Sequence, residues 1–200
     1  DFGSDGAEMR LEEHRGGALE LAQKAVALDR SAPQAYWALG FTYLFRKQLD
    51  EAAEAAKQAV ALSPNYADGY GLLAFINNFQ GHAEDAIRYI KKAMDLNPRY
   101  TYDYPWNLGR AYYTLRRYPE ATEALQEALE RNENALYPRL FLAASYVRLG
   151  QQDDAEWEIE QIQILNPDTT LTHLANTFPV KDEDAMNAFL EDLRKAGLPE

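Results

Sequence analysis

The sequence predicts an all-α solenoid, a stack of antiparallel helix pairs, on three observations. One pattern recurs every 34 residues from Pro33 to Thr169, with a single one-residue slip at Thr101. Within each unit, positions 8, 20 and 27 are mostly small, and positions 4, 7, 11 and 24 mostly large. Pro stands at position 32 in three of the four units, as Pro64, Pro98 and Pro167. Small residues let helices approach closely, and large ones at i, i+3, i+4 and i+7 fill the space between them. Pro ends the second helix of a pair and turns the chain into the next. Each pair can bury its apolar face only against its neighbours, so the stack has no single globular core.

Taken in order, residues 1–8 are rich in Gly and Asp and read as a linker. Residues 9–32 read as a partial, degenerate repeat. Ala18, Ala22 and Ala25 keep the small positions of its second helix, while Gly16-Gly17 interrupts the first. The first full unit is 33–66, with Tyr36, Leu39, Gly40 and Tyr43 on its first helix and Ala52, Ala56 and Ala59 on its second. The second unit, 67–100, follows directly with Tyr70, Leu73, Ala74, Ala86 and Ala93 in register. The third, 102–135, keeps Leu108, Gly109, Tyr112, Ala121 and Ala128 but puts Pro105 at position 4. Its first helix is therefore expected to begin late, near Pro105, with Tyr100 to Trp106 forming a longer loop or an aromatic lip. The fourth, 136–169, holds Leu142, Ala143, Tyr146, Gly150, Ala155 and Ile162 in register. Residues 170–200 then form a closing segment. A short helix runs from Leu171 to about Asn176 and is broken at Phe178-Pro179-Val180. A last helix is N-capped by Asp182 and ended by Gly197, with Met186, Phe189, Leu190 and Leu193 on its apolar face. It is expected to cap the fourth unit.

The unit Tyr36 to Pro64 resembles the tetratricopeptide repeat (TPR). The resemblance implies a right-handed superhelix whose business is binding other proteins. It also implies that positions 2, 5, 9, 12 and 13 line the concave face. Those positions are unusually aromatic. The partner-binding residues expected from them are Trp37, Phe41 and Phe45 in the first unit and Phe75 and Phe79 in the second. The third contributes Trp106, Arg110 and Tyr113, and the fourth Tyr137. Clustered aromatic and Arg side chains are what interface anchors are made of. The TPR subclass that grips acidic chaperone tails carries Lys and Asn at positions 5 and 9 of its first repeat. Trp37 and Phe41 stand there instead, so that partner is not expected.

Composition narrows the rest. A net charge of −12 disfavours nucleic acid and anionic membrane surfaces. No apolar run reaches the roughly 20 residues of a membrane span. The chain has no cysteine. Its three histidines, His14, His82 and His173, fall in different units at no metal-ligand spacing. No phosphate loop or nucleophile motif is present. Acidic pairs such as Glu51/Glu54 and Asp153/Asp154 begin second helices, where carboxylates favour the positive end of the dipole. The expectation is no enzyme and no cofactor, a protein or peptide partner, and cytoplasm by default.

A narrower resemblance covers residues 95–200. Trp106-Asn107-Leu108-Gly109-Arg110-Ala111-Tyr112, Arg117-Tyr118-Pro119-Glu120-Ala121 and the tail from Phe178 to Glu200 are similar to a TPR region of bacterial signalling proteins. In that family the array follows a class III adenylate/guanylate cyclase domain or a winged-helix domain. The resemblance implies that any catalytic domain lies upstream. It keeps a second reading open, a self-association module that forms a homodimer. The missing start Met likewise leads one to expect a piece of a longer protein.

Overall fold

The computed structural model describes residues 17–178 and 182–200. The expected linker at 1–8, the start of the degenerate repeat and the Pro179-Val180 break lie outside them. The described residues form eleven helices and no strand. Residues 17–28 make α1. Four pairs follow: α2 (Pro33–Phe45) with α3 (Leu49–Leu62), α4 (Ala67–Gln80) with α5 (Ala83–Leu96), α6 (Asp103–Thr114) with α7 (Tyr118–Arg131), and α8 (Leu136–Leu149) with α9 (Gln152–Leu165). Two helices close the chain, α10 (Leu171–Thr177) and α11 (Glu183–Lys195).

The repeat positions do the packing expected of them. Ala52, Ala86, Ala121 and Ala155 at position 20 are all fully buried, as are Ala74 and Ala143 at position 8. Gly40 and Gly109 share position 8, and there the helices are closer still. A β-carbon on Gly109 would lie 2.5 Å from Leu125 Cγ and 3.2 Å from the Ala121 carbonyl oxygen. The first helices α2, α4, α6 and α8 touch one another in succession, whereas the second helices make no comparable contacts among themselves. Closer spacing on one side bends the stack, so the first helices form its inner layer.

All four turns within pairs share one closure. The residue at position 16 donates its N–H to the carbonyl of position 11: Gln48 to Tyr43 at 3.0 Å, and His82 to Asn77, Arg117 to Tyr112 and Gln151 to Tyr146 at 2.9 Å each. This is the six-to-one bond of a Schellman C-cap, which needs a left-handed residue just before it. Gly81 (φ 81°) and Gly150 (φ 73°) supply it in two turns, Lys47 and Arg116 (both φ 60°) in the others.

The third pair begins earlier than Pro105 suggests. α6 starts at Asp103, so Pro105 falls in the first turn. N–H groups there have no intrahelical partner, so the missing donor costs nothing. Tyr104 is buried and donates to Asp68 at 3.0 Å, and Tyr100 stacks on it at 5.7 Å. The aromatic run ties α6 to α4 and does not stand as a free lip. Both closing helices carry side-chain caps: Thr170 accepts from the His173 N–H and Asp182 from the Ala185 N–H, each at 3.1 Å. Gly197 takes φ 97° after Ala196.

Candidate functional site on the inner face

Aromatic rings run along the inner layer from one end to the other. On α2, Trp37 stacks on Phe41 at 5.0 Å, and Phe41 meets Phe45 edge-on at 4.8 Å. One turn of helix separates each, so the three rings form a ladder. Trp37 is anchored by donating Nε1–H to the Asp68 carbonyl of α4 at 3.1 Å. Phe41 and Phe45 are 38% and 56% exposed, high values for such large apolar side chains. On α4, Phe75 contacts Phe79 at 5.0 Å and Trp106 of α6 at 5.2 Å. Trp106 stacks in turn on Tyr137 of α8 at 5.4 Å. The rings thus form two groups, a ladder within α2 and a chain of contacts from α4 through α6 to α8.

Accessibility divides that surface in two. Trp37, Phe41, Phe45, Phe75 and Tyr137 keep exposed or half-buried rings, whereas Phe79, Trp106 and Arg110 are buried. Over Phe79 and Arg110 the chain's own closing segment provides the cover. Phe178 lies among Phe79 (5.9 Å), Tyr137 (5.5 Å) and Phe141 (6.1 Å). α11 packs against α8, where Phe189 stacks on Phe141 at 4.4 Å and meets Tyr113 edge-on at 5.8 Å. The closing segment thus covers the end of the fourth pair and also reaches into the inner face as far as Phe79.

Charge accompanies the rings. Asp192 of α11 is fully buried, and its Oδ2 accepts from Tyr113 Oη and Arg148 Nε, both at 2.6 Å. Burial, reinforced by the bond to Asp192, raises the Tyr113 phenol far above its ordinary range. The Arg110 guanidinium lies 4.0 Å over the Phe79 ring and 5.0 Å over Phe178. Burial pushes it down to about 9, which leaves it charged at neutral pH. Phe141, Phe178, Phe189 and Asp192 are not among the residues anticipated from spacing. One signal does point to Asp192: it is an acid set within the apolar arc of Phe189, Leu190 and Leu193.

Between the α2–α3 turn and the closing segment an open cleft of about 630 Å³ remains, lined by Gln48, Asp50, Phe178, Met186 and Leu190 among others. Among the described residues no three His, Asp or Glu side chains gather as metal ligands, and no helix is long and apolar enough to cross a membrane.

Comparison with known proteins agrees with this architecture. Family models described as tetratricopeptide repeat match residues 33–66, 67–100 and 106–135. No curated protein matches by sequence. Among solved structures, TTC0263, a thermophilic TPR protein of Thermus thermophilus, shares 24% identity at a TM-score of 0.67, over 94% of this chain and 95% of that one. PilW, described as a widely conserved type IV pilus biogenesis factor, shares 19% at a TM-score of 0.72, over 94% and 86%. YrrB, described as a TPR protein with an unusual peptide-binding site, shares 20% at a TM-score of 0.63, over 90% and 92%. At these identities the likeness speaks for the fold alone. Tetratricopeptide-repeat models thus match three segments of the chain, and its fold is that of stacked antiparallel helix pairs.

Proposed function

We propose that this chain is a non-catalytic interaction module that takes a segment of a partner protein along its inner face, anchored on α2. The observation that carries the reading is the exposed ladder Trp37–Phe41–Phe45, a contiguous apolar patch on the layer that TPR proteins turn toward their ligands. Half-buried Phe75 and exposed Tyr137 lie in a second group of rings on the same inner layer, joined through Trp106. The fold's kinship with a protein noted for a peptide-binding site supports the same reading. The test is selection of peptides from a displayed random library on the natural chain, followed by titration of Phe41→Ser and Phe45→Ser. Loss of binding with unchanged helix content supports the ladder as the site. Unfolding of the variants, or undiminished binding, removes it.

A second reading has the same ladder as its motive. The patch would join two copies, as suits a regulatory array beside a cyclase-type or winged-helix domain of a bacterial signalling protein. A stable dimer buries roughly 1,200 Å² or more in total. Light scattering distinguishes a 22.7 kDa monomer from its dimer. A dimer that Phe45→Ser dissociates would favour this reading.

A further inference from the structure

Arg110 is in an unusual position. It is 3% exposed, yet no carboxylate pairs with it among the described residues. Among the described residues one terminal nitrogen reaches only the Asn78 carbonyl, at 3.4 Å, and the other has no partner. Trp106 Nε1 and Asn78 Oδ1, on the same face, are also buried and have no partner among the described residues. The rings around the guanidinium attract it but offer it no acceptor. A buried charge without a counter-ion is costly, and an apolar side chain of similar volume is the more stable choice.

One turn along α6, where it faces α8, the same face holds what Arg110 lacks. There α11 presents Phe189 to Phe141 and Tyr113, and Asp192, three residues later, to Tyr113 and Arg148. A ring and a carboxylate one helical turn apart meet an aromatic-and-arginine surface. At Arg110 the chain itself supplies the ring, Phe178, and no carboxylate.

We propose that the surface around Arg110, with Phe79, Trp106, Tyr137 and Phe141, binds a partner segment carrying an aromatic residue and a carboxylate one helical turn apart, and that Phe178 occupies it in cis. The ring displaces Phe178, and the carboxylate takes the free guanidinium N–H groups in charge-assisted hydrogen bonds. Because the whole chain carries −12, long-range attraction does not select an acidic partner, and the selection falls to Arg110 itself. This inference rests on reading the inner face as a peptide surface. It is tested on small molecules at Arg110, so its failure leaves the α2 ladder standing.

The full chain is prepared with Trp37→Phe and Trp157→Phe, leaving Trp106 as the single reporter. In that background Phe178→Ala vacates the surface, and 3-phenylpropionate is titrated against the uncharged 3-phenylpropionamide. The expected result is a saturable change in Trp106 emission, with the acid bound about tenfold or more tightly than the amide. Adding Arg110→Met should erase that preference, and Arg110→Met in the otherwise natural chain should raise Tm. Equal binding of acid and amide, or no saturable change in a folded variant, overturns the proposal. So does unfolding of Phe178→Ala, which would make Phe178 a core residue, and so does a lower Tm for Arg110→Met, which would make the cation part of the packing.

Discussion

Position 15 of the repeat shows how one residue's backbone geometry enters the stability of the stack. All four turns require a left-handed residue there, and only Gly81 and Gly150 meet the requirement without strain. Left-handed geometry costs a residue with a β-carbon about 1–2 kcal/mol, against the roughly 0.5–1 kcal/mol of chain entropy that Gly adds. Lys47→Gly and Arg116→Gly are therefore each expected to stabilise by about 0.5–1 kcal/mol, and Gly81→Ala to cost a similar amount, in chemical denaturation. At position 8 the sign reverses. Gly109→Ala gains helix propensity but drives its methyl group into Leu125, which is fully buried and cannot give way. A net loss of about 1–2 kcal/mol is expected, and Leu125→Val should recover part of it. The turn requirement was visible in the sequence once units were aligned, because Lys47 and Arg116 share the column of two glycines. The close approach at Gly109 was visible only as a preference for small residues. Its severity depends on the rotamer of a neighbour sixteen residues away.

At the scale of the element, α11 is held to α8 by Phe189 and the Arg148–Asp192 bond, and to α6 by the Tyr113–Asp192 bond. Asp192→Ala leaves the Tyr113 hydroxyl buried without an acceptor, at a cost of about 2 kcal/mol. In a stack, that loss is felt first by the element that touches fewest neighbours. Amide exchange should accelerate roughly 30-fold in α11, while α4 to α7 change little. Uniform acceleration would instead make α11 part of one cooperative unit. Tyr113 also gives α11 a pH dependence. Its phenol is held above the ordinary value of 10.0 by burial and then by Asp192. The unfolded chain releases that proton near pH 10 and the folded chain retains it. Stability is therefore complete below pH 10 and falls as pH rises further, by up to about 1.4 kcal/mol per pH unit. The informative measurement is therefore the difference between the natural chain and Tyr113→Phe in denaturation from pH 9 to 12, where the variant should lose the shallower share.

For the whole molecule, the question is how much of the inner face remains open. Phe178 and α11 cover the half built from α6 and α8, while the α2 ladder stays exposed. Binding of a peptide to the open half should depend on Phe41 and Phe45 and be indifferent to Asp192→Ala. Binding to the covered half should strengthen when Asp192→Ala loosens α11. Isothermal titration of the same peptides against the three variants separates the two.

The sequence by itself determined the helix pairs, their register, the small residues at their contacts, the caps at Asp182 and Gly197, and which side of each first helix carries the aromatic rings. All of these are local or nearest-neighbour properties, and for the pairs a 34-residue period states them four times over. Only the tertiary structure decided which of those rings a partner can reach. Phe45 and Phe79 share position 13, yet Phe79 is buried and Phe45 is not, because Phe178 and Arg110 lie on the Phe79 ring. The bond that secures this return joins Tyr113 to Asp192 across 79 residues of chain. Periodicity names the face a side chain points to, but burial depends on what else the chain lays upon that face.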